Sequence, residues 1–152
     1  MDFTDLDSVE HDGSHLTAEQ VRTIETYIAQ LLAALDLGHW KVHVGKNLPH
    51  EGALLGIEPT DGRRCATLYV AARWWDQETS EDKRVDLTHE ALHLAHSDTA
   101  EGIYRFFAGS GDIGEYLKFV VLGEFKTNLE RMVDSLSYVI APFMPPWPET
   151  AP

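Results

Sequence analysis

Cysteine is nearly missing from this 152-residue chain: Cys65 stands alone, so no disulfide can form within it. Such a chain fits a reducing compartment and has to draw its stability from a packed core. Positive charge is the second scarcity. Lys and Arg together number 12 against 25 Asp and Glu, a formal net charge of −13. Gripping a nucleic-acid backbone needs clustered cations, and here only Arg63-Arg64 and Lys83-Arg84 come even as pairs. Nucleic acid is therefore not an expected partner. Long apolar runs are also lacking, and no stretch approaches the length of a membrane span. The opening residues, Met1 to His15, are acidic and have no apolar centre, so they do not read as a signal peptide. The cytoplasm is the expected compartment.

What the chain does contain is a run of chemistry-bearing residues, Thr88-His89-Glu90-Ala91-Leu92-His93, inside a segment of helical periodicity. It has the form H-E-x-x-H. Positions four apart share one face of a helix, so His89 and His93 can offer two imidazole nitrogens to one cation. Glu90 lies on the flank of that face. From there it can take a proton from a metal-activated water without being a ligand. Zinc is the expected metal, since two neutral imidazoles and a carboxylate suit it and leave a position open for water. Chance alone yields this pattern in a chain of such length with a probability on the order of one per cent. Leu87, Ala91, Leu92, Leu94 and Ala95 surround it, which predicts a buried helix whose polar groups need partners.

The rest of the chain reads as one α+β domain over residues 16–142, between an acidic, mobile tail (1–15) and a proline-rich tail (143–152). His11 and His15 fall in the first tail. A first helix is predicted over 17–37, with Thr17 and Gln20 at capping-box spacing, an apolar stripe from Val21 to Leu35, and Gly38 as its stop. Three strands follow, at Trp40–Val44, Ala53–Glu58 and Cys65–Ala72, with Arg73-Trp74-Trp75 ending the third. Their short links predict an antiparallel meander. A helix opened by Thr79 or Ser80 should carry the histidine motif and end near His96, which could support the site or simply face water. Residues 97–112, with Gly102, Gly109 and Gly111, read as a loop bearing an aromatic cluster. Residues 113–141 read as the last helix, burying Val121, Phe125, Leu129, Met132, Val133, Leu136, Val139 and Ile140 until Pro142 stops it.

Two histidines need a third protein ligand, and a carboxylate from the last helix is the common choice. Glu124 and Glu130 fall on opposite edges of its apolar face, at about 100° per residue, so periodicity does not choose between them. The segment Leu129-Glu130-Arg131-Met132-Val133-Asp134-Ser135-Leu136-Ser137, closing at Ile140-Ala141-Pro142, resembles the E-x-x-A-[N/D]-x-F-A…P helix of small gluzincins. These are the ImmA/IrrE-type peptidases and the minimal gluzincins often encoded by phages. Val133, Leu136 and Ser137 depart from that pattern. The resemblance implies a minimal zincin-like fold: an N-terminal helix, a three-stranded antiparallel sheet, the H-E-x-x-H helix and a C-terminal ligand helix. It implies Glu130 as the third ligand and Asp134 as the partner orienting a ligand histidine. It further implies a zinc metallopeptidase acting on peptide or protein, with the third strand as the edge over the metal. A Tyr or His would hold the oxyanion, Tyr104 first and Tyr138 second.

Two other readings compete. The run from His89 to Thr99 is similar to the H-G-x-L-H-L-x-G-Y-D-H signature of YbeY-type ribosomal RNA endonucleases, which implies a metal-dependent RNA hydrolase. It lacks both glycines, and Thr99 stands where the third histidine belongs. The other is a non-catalytic zinc-binding module, a regulatory or toxin-like phage protein. A structural site has no use for Glu90 and would close the fourth coordination position.

Overall fold

The computed structural model describes residues 16–60 and 62–149. The acidic opening, with His11 and His15, lies outside the described residues. The chain runs α1 (Ala18–Ala34), β1 (Lys41–Val44), β2 (Leu55–Pro59), β3 (Cys65–Val70), α2 (Ala72–Gln77), α3 (Ser80–Gly109) and α4 (Glu115–Ile140), then a single 3-10 turn at Ala141–Phe143. This is the α+β class the sequence predicts. Thr17 caps α1 in a complete capping box with Gln20, as the spacing requires. The helix stops before Gly38. Asp36 takes the left-handed conformation (φ 60°), and Leu37 N–H returns to Leu32 C=O at 2.7 Å, the closing pair of a Schellman end.

The sheet corrects the predicted meander. Its order is β1-β3-β2, with β1 parallel to β3 and β2 antiparallel to it. Short links favour pairing between sequence neighbours, but residues 45–54 are long enough to carry β2 one strand-width past β1. β3 then fills the gap. β3 is thus the central strand, hydrogen-bonded on both sides, and β2 is an edge. The alternation of β3 buries Ala66, Leu68 and Val70 beneath α1 and α3 and leaves Cys65, Thr67 and Tyr69 half-exposed on the other face. Gly45 follows β1 on that second face. A Cβ there would sit 2.6 Å from Thr67 Cγ2 and 2.9 Å from Tyr69 Cε1.

Three further departures bear on the site. Trp74 and Trp75 belong to α2 rather than to a strand, so both turn inward: Trp74 is fully buried and Trp75 packs against the core. The motif helix does not end near His96. α3 opens on a Thr79–Asp82 capping box and continues unbroken through Gly102 to Gly109, so most of the predicted loop is helix. One exposed glycine costs about 1 kcal/mol relative to Ala, too little to break a helix that a neighbouring helix supports. Finally, α4 packs chiefly on α3 and buries only Val133 and Ser137. Met132 and Val139 of the expected apolar face are exposed, as are Tyr116 and Phe119 near its start.

The chain after Pro142 folds back. Trp147 is buried, edge-on to Tyr27 (4.9 Å), Trp74 (5.8 Å) and Trp75 (5.6 Å), and Tyr27 Oη donates to Pro145 C=O at 2.7 Å. Lys83 from α3 lies among Trp74, Trp75 and Trp147 and donates to Trp75 C=O. Burial lowers the pKa of its ammonium, while the ring faces and the carbonyl offset part of the lost hydration.

Glycine substitutions separate the open helix from the crowded strand end. Gly102→Ala, with nothing within 4 Å of its added Cβ, should stabilise the fold by roughly 0.5–1 kcal/mol. Gly45→Ala should destabilise it by about 1–3 kcal/mol. Urea denaturation of the two variants beside the parent checks both signs.

Candidate metal centre

The site starts from helical spacing. α3 lays Leu87, Ala91 and Leu94 into the core, all buried, and this fixes its rotation. His89 and His93 then fall together on the flank facing α4. Their rings are 4.7 Å apart and their Nε2 atoms 2.9 Å apart. α4 runs antiparallel to α3 after a tight turn capped by Gly114, and this brings Glu130 opposite the pair. Glu130 Oε2 lies 3.6 Å from His89 Nε2 and 3.4 Å from His93 Nε2. These three residues form a group that could hold a metal ion, their ligand atoms all within 4.8 Å of one another. A tetrahedral site with bonds of ~2.0–2.1 Å separates its ligand atoms by about 3.3 Å, and the observed spacings bracket that value. The donor set of two imidazoles and one carboxylate suits zinc.

The tautomers agree with such a role. His89 Nδ1 lies 2.9 Å from Asp134 Oδ1. The neutral ring therefore donates from Nδ1, and its Nε2 lone pair points at the shared centre. Burial, followed by the neighbouring His89 and His96 against the opposing pull of Glu130, holds the His93 pKa below its ordinary value. A neutral His93 is the ligand form. Two imidazole lone pairs converging at this distance repel unless a proton or a cation lies between them, which favours occupancy.

Glu90 sits beside the cluster rather than in it. It is buried, and the Ile57 backbone N–H lies beside it and favours its charged form. Burial, then the negative charges of Glu130 and Asp86, push its carboxyl up to about 8. Asp86, one turn earlier, accepts from Trp74 Nε1 at 2.8 Å. The Ile57 contact follows from strand geometry. Thr60 N–H pairs with Cys65 C=O and Ala71 N–H with Leu54 C=O. By the alternation of an antiparallel ladder, Leu55 and Ile57 then turn their backbone groups away from β3. They face a cleft of about 970 Å³ that runs between β2 with its following turn on one side and α3 with α4 on the other. This corrects the expectation that the third strand borders the metal, because β3 has no free edge.

The other candidates divide clearly. Glu130 is in the cluster, while Glu124 is exposed and outside the cleft lining. Tyr104 lines the cleft on the third turn past His93, its ring edge-on to Phe125 at 6.1 Å. Tyr138 is 70% exposed and outside the lining. His96 is half-buried and acts on His93 only through its charge. Thr99 is exposed and outside the lining, so nothing stands in for a third histidine on α3. Sequence reasoning missed the Ile57 amide, which carries no side-chain signal. It also missed the cleft cations Arg63, Arg64, Arg105 and Lys126. Of these, Lys126 was legible, four residues before Glu130 and hence on its face.

The chain matches no protein-family model, no curated protein and no solved structure. The resemblance to small gluzincins therefore rests on the spacing and geometry of these residues alone. Among the described residues, no helix is long and apolar enough to cross a membrane.

Two outcomes test the site. Glu130→Ala should abolish stoichiometric zinc binding while Glu124→Ala leaves it intact, and Asp134→Ala should weaken it by roughly 10- to 100-fold; competition with a chromogenic chelator reads all three. The Glu90 carboxyl gives a separate pH signature in metal-free protein. Its folded pKa, about 8, lies above the ordinary 4.5, so the native state holds the proton that the unfolded chain releases. Stability is then lost as pH rises through this window. Metal-free Glu90→Gln should gain on metal-free parent from pH 5 to pH 8, by up to a few kcal/mol, an order-of-magnitude figure. Thermal unfolding across that range measures the gap.

Proposed function

We propose that the protein is a small zinc metallopeptidase. The observation that carries this reading is the buried Glu90 carboxyl, lying beside the His89–His93–Glu130 group and bordering the cleft under the edge strand β2. A purely structural site needs no such neighbour and leaves no cleft at its open side. A zinc ion held by the three residues would supply a Lewis acid for the scissile carbonyl and a water of lowered pKa.

The chain's own groups supply the rest. An extended peptide lying in the cleft can pair with the outward backbone of Leu55 and Ile57, adding a strand to β2. Pairing fixes the scissile carbonyl beside the cluster with little regard to side chains. Glu90 Oε takes the proton of the attacking water as its oxygen bonds to the carbonyl carbon. The same carboxyl then gives that proton to the departing nitrogen as the C–N bond breaks. Asp134 acts through His89, keeping the proton on Nδ1 and the ring turned to the centre. Tyr104, a residue of the cleft wall, donates its hydroxyl to the developing oxyanion in this reading.

Zinc-loaded Glu90→Gln should keep its metal, by elemental analysis, and lose cleavage of an unstructured polypeptide by at least ~100-fold, the lower range for a general base. An RNA substrate degraded by the parent, with polypeptide untouched, would replace this reading with the hydrolytic RNA one.

A further inference from the structure

The cleft carries charge that the hydrolytic chemistry does not use. In a chain with 12 cations and 25 acids, its described lining holds four of each: Arg63, Arg64, Arg105 and Lys126 against Glu90, Asp98, Glu101 and Glu130. Cations are thus over-represented there. The acids are all engaged. Glu90 and Glu130 belong to the metal centre. Asp98 receives a bidentate grip from Arg64 at 2.8 and 3.1 Å, and Glu101 pairs with Arg105. Arg63 and Lys126 make no ion pair among the described residues.

Their placement is one-sided. Lys126 stands one turn before Glu130 on α4, roughly 6 Å along the helix. Arg63 stands in the turn after β2, next to the Arg64 that reaches across to Asp98 on α3. Both therefore lie on the turn side of the metal cluster, and the opposite end is lined by His50 and Leu55, with no fixed charge.

We propose that the substrate is an acidic polypeptide whose Asp or Glu side chains, on one side only of the scissile bond, are received by Lys126 and Arg63. The inference rests on the peptide-hydrolysing reading and adds selectivity to a site that backbone pairing leaves otherwise indifferent to sequence. A nucleic-acid backbone fits less well, since two free cations in a chain of net charge −13 make a poor phosphate track.

The test uses zinc-loaded Glu90→Gln protein, so that binding is read without turnover, beside cleavage by the parent. Fluorescence anisotropy compares an Asp/Glu-containing peptide, its Asn/Gln twin and a short oligoribonucleotide. The acidic peptide should bind roughly three- to tenfold tighter than its amide twin, the size expected for one or two partly exposed ion pairs, with the difference shrinking as salt rises. Adding Lys126→Glu should erase or reverse the preference with zinc content unchanged, and Lys126→Met should erase it without reversal. Parent cleavage of a peptide library should show acids enriched on one side of the cut. Equal binding of the twins, indifference to Lys126→Glu, or tighter binding of the oligoribonucleotide would overturn the proposal. Acid-selective, Lys126-dependent binding without any cleavage would uphold the acid-receiving role of Lys126 and Arg63 and sink the peptidase reading; cleavage without acid preference would do the reverse.

Discussion

Polar groups buried on a helix must find partners or forfeit several kcal/mol, on the order of the cost of an unmade hydrogen bond or an isolated charge. On α3 that demand is concentrated within five residues. His89, Glu90 and His93 are partly or wholly removed from water, and two elements answer them: α4 brings Asp134 to His89 and Glu130 to the shared centre of the histidines, and β2 brings the Ile57 amide beside Glu90. The architecture around the site can be read as the means of bringing those three answers to one helix.

Core packing and site geometry are the same event here. The residues that anchor α3, Leu87, Ala91 and Leu94, interleave with the ligands, so the rotation that fills the core also aims the imidazoles. The sheet contributes through its order. With β3 in the centre, β2 keeps an unpaired edge and turns it toward α3. The Ile57 amide then lies beside the Glu90 carboxyl, and the outward backbone of Leu55 borders the same cleft. The far side of the molecule is closed by Trp147 and its ring of Tyr27, Trp74 and Trp75, with Lys83 among them. This ties the end of the described chain to α1, α2 and the start of α3.

Legibility varied with the range of the interaction. The capping box at Thr17, the helix start at Thr79 or Ser80, the inward alternation of Trp40 and Val42, and the one-face pairing of His89 with His93 all depend on residues within a few positions of one another. Where reading failed, a distant element decided. Trp74 and Trp75 look strand-like locally, but burying both against Trp147 calls for a helix. Gly102 and Gly109 look like punctuation, but α4 supports α3 past the first of them. The apolar residues of α4 look like a core face, yet with α3 as its main neighbour only Val133 of that face is fully buried.

The sequence by itself determined the chemistry on offer: two imidazoles one turn apart, a carboxylate flanking them, and two downstream acids able to complete the set. Those follow from the fixed pitch of a helix, which turns spacing into geometry without further help. Helical spacing left Glu124 and Glu130 level and a resemblance favoured Glu130; the tertiary structure brought Glu130 to the histidines, moved the open edge from β3 to β2, and gathered Arg63 and Lys126 on one side of the cleft. Each of these choices depends on how separate elements pack, and side-chain pattern within one element carries no record of which neighbour it will meet.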